Sequence, residues 1–77
     1  MTARGEERAM KISARNVLKG AIVEVRKGAT TAHVLINING AIVTASITNE
    51  SADELKLAPG KPAFAVIKAS DVMVGVE

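Results

Sequence analysis

The sequence predicts an all-β fold, a small closed or partly open barrel of five or six short strands with one short helix. Three observations carry this reading. Ile and Val recur at every second position along several short stretches. Those stretches are separated by turn pairs, Lys27-Gly28, Asn39-Gly40 and Pro59-Gly60. Only one segment, around Ser51, switches to helix-start chemistry.

Taken in order, residues 1–9, "MTARGEERA", are polar and charged without apolar periodicity, and read as a flexible tail. The organised pattern begins at Met10, so residues 10–77 form a single domain. "MKISARN" reads as extended, with Ile12 and Ala14 on one face and Ser13 and Arg15 on the other. From Gly20, "AIVEVRKG" is strand-like and ends at Lys27-Gly28. "TTAHVLINI" places Val34, Ile36 and Ile38 on one face and His33, Leu35 and Asn37 on the other. Asn39-Gly40 is the strongest hairpin signal, because a type I′ turn wants positive φ at both positions. The return strand "AIVTASIT" turns Ala41, Val43, Ala45 and Ile47 to one side. Ser51 and Glu54 have the spacing of a capping box, predicting a helix of about two turns that stops before Pro59. "KPAFAVIK" is another strand, with Pro62 confined to its start. "DVMVGVE" reads as a last short strand with Gly75 as a bulge. Strands, a short helix, then a final pair of strands suggest an OB-like barrel whose edges invite another subunit.

Composition narrows the function. A chain of 77 residues without cysteine has no disulfide to staple it, and one histidine without thiols argues against a zinc site. With 48% hydrophobic residues, the chain has apolar surface to spare for a subunit interface. No apolar run is long enough to span a membrane, and the first residues lack the apolar core of a signal peptide; a cytoplasmic protein is expected. A formal charge of +2 with Phe64 as the one aromatic residue offers neither the cationic field nor the stacking platform of a nucleic-acid binder. No nucleophile constellation or phosphate-binding loop is present, and His33 sits mid-strand as an exposed or interface residue, so no enzyme is expected.

Donor groups for an anion cluster at three places. Ser13 stands beside Arg15. Thr48 and Ser51 lie where a strand runs into a helix, with Glu50 between them having to point away. Lys68 ends the apolar run "AFAVI" and is followed by Ala69 and Ser70. Each has an ordinary reading too: Arg15 as a surface ion-pair residue, Thr48 as a strand residue, Ser51 as a helix cap, Lys68 as a solvated strand end. The residues alone reach a small oligomeric β-barrel with candidate anion sites.

The segment "MKISARNVLKGAIVEVRKGATTAHVLINI" closely resembles the start of the molbindins, the small Mop proteins. "SARN", residues 13–16, is that family's hallmark. "ITNESADELKLAPGK" resembles its strand–helix linker, and "VIKASDVMVG" its C-terminal signature. The resemblance implies an OB-like fold, assembly as a homohexamer built as a trimer of dimers, and molybdate or tungstate held between subunits. It implies that Ser13, Arg15 and Lys68 approach the oxyanion from one subunit and Thr48 and Ser51 from its neighbour. Ala14 and Asn16 would help through backbone N–H or by holding the strand. Ala69 stands where some members have serine, so one hydroxyl is missing there while the N–H remains. The implied role is molybdenum storage and homeostasis in the cytoplasm, with an oxyanion-sensing module acting on a separate partner as the alternative. No nucleic-acid or membrane partner is implied.

Overall fold

The structure, a computed structural model, describes residues 13–77. The expected tail, residues 1–9, and positions 10–12 lie outside the described residues. Four strands form one antiparallel sheet: β1 (Asn16–Lys27), β2 (Thr31–Ile38), β3 (Ala41–Thr48) and β4 (Pro62–Ile67). A short helix α1 (Asn49–Glu54) follows β3, and a 3-10 turn (Ala69–Asp71) follows β4. The spatial order is β3-β2-β1-β4, curled into a half-barrel.

The strand β1 is longer than expected. It begins at Asn16 rather than Gly20, because residues 16–21 pair with β4, from Asn16 opposite Ile67 to Ala21 opposite Pro62. Beyond Ala21 the same strand pairs with β2, from Ala21 opposite Asn37 to Lys27 opposite Ala32. The register shifts between Ile22 and Glu24, a bulge at Val23. A bulge inserts one residue and flips the parity of the strand. Ile22 and Val25, three apart in sequence, therefore both reach the core, and Glu24 and Arg26 form an ion pair at 2.9 Å beyond it. The bulge also releases the backbone of Ile22 to another partner. Its N–H donates to the Lys61 carbonyl at 2.9 Å, and its carbonyl accepts from the Gly60 N–H at 2.8 Å. The Pro59-Gly60 turn is thereby docked on the strand.

The hairpin between β2 and β3 forms as the Asn-Gly pair predicts, with φ of 52° at Asn39 and 98° at Gly40. The Asn37 Oδ1 accepts from the Gly40 N–H at 2.7 Å and closes the turn. The faces also agree with the pattern. Val34 and Ile36 are buried, and Ile38, Val43, Ala45 and Ile47 pack against them. His33 is exposed, as expected for its face. Gly20 lies where β1 meets the hairpin end of β2. A Cβ there would sit 2.3 Å from the Asn37 carbonyl oxygen and 2.6 Å from Ile38 Cδ1, so no larger residue fits without moving backbone.

Two elements differ from expectation. The helix starts three residues early. Thr48, not Ser51, is its cap: the Thr48 Oγ1 accepts from the Ser51 N–H at 3.0 Å, and Glu54 is the last helical residue. A strand end bearing a hydroxyl is already an N-cap, so the helix needs no further approach segment. Its end is a Schellman arrangement. The Leu57 N–H donates to Ala52 O at 3.1 Å and the Lys56 N–H to Asp53 O at 3.0 Å. Lys56 takes the left-handed position, φ 55°, where glycine is usual. The final strand is absent. After the 3-10 turn, residues 72–77 make no ladder. Gly75 has open space around it and marks no bulge; the bulge is at Val23 instead. Four strands are thus described where five or six were expected.

The core is small. Among the described residues the buried apolar ones are Ile22, Ala32, Val34, Ile36, Ala52 and Ala65. The inner face of the curl is instead lined by two adjoining apolar troughs of about 390 and 440 Å³, sharing Ile36, Ala45, Ile47, Phe64 and Val66. The radius of gyration is 13.6 Å, against about 11 Å for a compact domain of this length.

Gly20→Ala is expected to lower the unfolding free energy by about 1–3 kcal/mol, read as a drop in thermal midpoint at fixed protein concentration. Lys56→Gly is expected to raise the free energy by about 0.5–1 kcal/mol, because it relieves a left-handed side chain while leaving the Schellman bonds in place. A Lys56→Gly protein with an unchanged or lower midpoint would contradict that account.

Candidate functional site

The sequence-predicted donors fall into two groups at opposite ends of β1. The first is built by the β1–β4 ladder. Its last pair is Asn16 with Ile67, and the Asn16 Nδ2 donates to the Ile67 carbonyl at 3.2 Å. This side chain clips the ends of the two strands together. Arg15 directly precedes β1 and Lys68 directly follows β4, so the two residues stand just beyond the same end of the ladder. Ser13, Arg15, Lys68 and Ala69 are exposed, and Ala14 and Asn16 are half-buried. Bends at Ser13 and Arg15 interrupt the extended alternation expected for this stretch.

The 3-10 turn adds backbone donors to this group. The Asp71 N–H donates to Lys68 O at 2.9 Å and the Val72 N–H to Ala69 O at 3.3 Å. Ala69 and Ser70 open the turn, where N–H groups have no intrahelical acceptor. The missing hydroxyl at Ala69 therefore leaves its amide as the donor. Among the described residues the ion pairs are Arg26 with Glu24 and Lys27 with Asp53, and neither involves Arg15 or Lys68.

The second group stands at the far end. Thr48 pairs with Thr31 at the end of the β2–β3 ladder, beside the place where β1 stops at Lys27. The Thr48 Oγ1–H donates to the Ser51 Oγ at 2.9 Å while the same oxygen accepts from the Ser51 N–H. Thr48 is thus used locally on both sides, and the Ser51 hydroxyl proton is the one left to point outward. Chained hydroxyls polarise one another, so this outer donor is strengthened. The helix has only six residues, and its dipole adds little.

Asn49, which the sequence reading did not single out, fixes this end. Its N–H donates to Thr30 O at 2.8 Å, and its Nδ2 donates to Gly28 O at 2.9 Å. The turn between β1 and β2 is thereby tied to the start of α1. Its Oδ1 is buried without a partner among the described residues. The signal that could have found it is an Asn directly after a capping Thr, facing a glycine turn.

The two groups are separated by the length of β1, a path of roughly 35 Å for a strand of its size. No single tetrahedral ion touches both within one chain. Among the described residues no set of three or more His, Cys, Asp or Glu side chains could hold a metal ion, and no helix is long and apolar enough to cross a membrane.

Comparison with known proteins agrees with this architecture. The TOBE domain family matches residues 12–74. A probable molybdenum-pterin-binding protein of Haemophilus influenzae is 48% identical over 69 residues, covering 88% of this chain and the whole of that protein. A molybdate-binding protein from Sporomusa ovata superposes with a TM-score of 0.82 at 36% identity, covering 87% of this chain and all of that one. The cytoplasmic molybdate-binding protein ModG, solved with molybdate bound, gives a TM-score of 0.82 at 42% identity, covering 88% of this chain and 49% of that chain. The half-barrel is therefore an OB-like fold. The chain belongs to the TOBE domain family, among the small molybdenum-pterin-binding (Mop) proteins.

In anion-free protein, Thr48→Val is expected to cost about 1 kcal/mol of stability through loss of the helix cap, and Thr48→Ser to cost far less. Thermal unfolding of the three proteins checks this. Equal midpoints for the Val and Ser variants would remove the cap from the account.

Proposed function

We propose that this chain binds molybdate or tungstate between subunits of a homo-oligomer and serves as a cytoplasmic store that buffers the oxyanion. The observation that carries the reading is the division of the donors. Ser13, Arg15 and Lys68 stand at one end of β1, and Thr48 and Ser51 at the other. A site that draws on both groups needs the Ser13 end of one subunit against the Ser51 end of its neighbour, with Thr48 orienting the Ser51 hydroxyl. The names of the relatives support the ligand, and the hexameric trimer of dimers suggested by the molbindin resemblance supplies such a junction. The domain is residues 10–77, with 1–9 as an appended tail.

The exposure of both groups agrees with this. A charged donor in open water gains little from an anion, since both are already well solvated. Covering the site with a second subunit lowers the local dielectric and makes each charge-assisted bond count. A dianion placed between Arg15 and Lys68 would be attracted by both.

The donor set explains selectivity by chemistry. Molybdate and tungstate are bare tetrahedral dianions near neutral pH. Arg15, Lys68, the hydroxyls of Ser13 and Ser51, and the amide of Ala69 all donate. Phosphate carries a proton near neutral pH, and that proton finds no acceptor in a ring of donors. Tungstate and molybdate are nearly equal in size and should bind alike. Asn16 holds the strands that present Arg15 and Lys68, and Ala14 spaces the donors on either side of it.

Calorimetric titration of anion-free protein is expected to give heat with molybdate and tungstate and none with phosphate. Arg15→Ala and Lys68→Ala should each weaken molybdate by about 10-fold or more, the loss of a charge-assisted bond of about 1.5–3 kcal/mol. No heat with any oxyanion, or full affinity after Arg15→Ala, would overturn the assignment. Saturating molybdate should also raise the thermal midpoint, because it binds only the assembled form.

A further inference from the structure

We infer that Asn39-Gly40 is a latent self-modification site, where the Gly40 nitrogen cyclises onto the Asn39 side chain to give isoaspartate, and that the Asn37 side chain is the guard that holds this reaction off. The chain has four asparagines, and Asn39 is the one followed by glycine; Asn16, Asn37 and Asn49 precede Val17, Ile38 and Glu50. A side chain on the following residue crowds the approach of its nitrogen to the asparagine amide, and glycine has none. In the reaction the Gly40 nitrogen loses its proton to solvent base and attacks Asn39 Cγ. The new N–Cγ bond closes a succinimide ring, the Cγ–Nδ2 bond breaks, and the side-chain nitrogen leaves as ammonia. Water then opens the ring at either carbonyl. One opening gives aspartate; the other gives isoaspartate, in which the main chain runs through the former side chain.

The site is open to this chemistry. Asn39 and Gly40 are both exposed, and nothing lies within 4 Å of where a Gly40 Cβ would stand. Base and water reach the peptide freely. What the folded turn withholds is the rotation that closes the ring. Asn39 has φ 52° and Gly40 φ 98°, in a two-residue turn closed by Ile38 opposite Ala41. With the left-handed ψ that accompanies such a φ, the Gly40 nitrogen points away from the Asn39 Cβ. Ring closure needs the peptide to swing round until its nitrogen faces the Asn39 side chain.

The Gly40 N–H donates to the Asn37 Oδ1 at 2.7 Å. This one bond opposes both requirements. It anchors the peptide against the rotation, and it holds the proton that the nitrogen has to lose. Asn37 is itself exposed, so its amide is not needed to fill the core. The product no longer fits the turn. Isoaspartate lengthens the main chain by a methylene and adds a carboxylate, taking one unit from the formal charge of +2. β2 and β3 then lose their tight closure at the end where Ile38 meets Ala41. This end of the hairpin is opposite the Thr31–Thr48 pair, and residues 16–21 of β1 separate it from Arg15. The reaction therefore proceeds with or without an oxyanion.

The full chain is incubated anion-free at mildly alkaline pH, below its thermal midpoint, and sampled over time. Peptide mass analysis locates the loss of ammonia and gain of water, and enzymatic methylation counts isoaspartate. The wild-type chain is expected to convert slowly at residue 39. Asn37→Val keeps a good strand residue and removes the acceptor. It is expected to convert at residue 39 several-fold faster, mostly to isoaspartate, with one charge lost on ion exchange. Asn37→Asp keeps an acceptor oxygen in place and is expected to stay near the wild-type rate. Asn39→Gly, which the same turn type accepts, is expected to yield no isoaspartate in that peptide. Circular dichroism verifies that each variant is folded. Equal rates for wild type and Asn37→Val overturn the proposal, as do equal rates for Asn37→Val and Asn37→Asp. Wild-type chain unfolded in denaturant gives the unguarded rate with no substitution at all. A folded chain that converts just as fast as the unfolded one also overturns the proposal.

Discussion

The structure depends on one strand serving two partners in succession. β1 pairs with β4 over its first half and with β2 over its second, and Ala21 belongs to both ladders. The bulge at Val23 makes the handover possible. It turns Ile22 and Val25 to the same interior and frees the Ile22 backbone for the Pro59-Gly60 turn. It adds to the twist that every sheet carries and sharpens the bend where β1 passes from one partner to the other. Gly20 marks the same crossing from the other side, where backbone approaches too closely for any side chain.

Much of this was legible in the residues. Asn39-Gly40 dictated its turn through the φ values it permits. The Ile and Val alternation in β2 and β3 named the core face correctly, since a period of two admits only two choices. What was not legible came from long-range pairing. The bulge involves a plain valine between ordinary neighbours, and only the β4 ladder and the docked turn call for it. The early start of β1 has the same origin: Leu18, Lys19 and Gly20 carry little strand signal and are held by partners over forty residues away. The helix boundary moved because Thr48 and Ser51 are both competent caps, and spacing to Glu54 favoured the wrong one. The last strand was a correct reading of local propensity, but propensity names no edge to pair with. For the site, clustered donors were visible in the sequence, yet their separation to opposite poles was not, since it is a property of β1 as a whole.

The small core and the exposed donors are two aspects of one arrangement. Among the described residues the half-barrel buries six apolar residues and leaves apolar troughs open along its inner face. In the proposed homo-oligomer, burial between copies would scale with concentration, and stability and oligomerisation would become one equilibrium. Under the proposed function, an anion ringed by groups from two subunits would act on that equilibrium directly. Its charge would compensate Arg15 and Lys68, two cations that are costly to cover unpaired.

Phe64 gives the trough an unusual spectroscopic property. It is the sole aromatic residue, it lines both apolar recesses, and it is 45% exposed in the single chain. Most proteins bury many rings, and their near-ultraviolet dichroism and ring-current shifts are sums over all of them. Here every such signal arises from one side chain standing at the place where the barrel is open. The molecule carries its own single-site near-ultraviolet label, and the label lines the open inner face of the half-barrel.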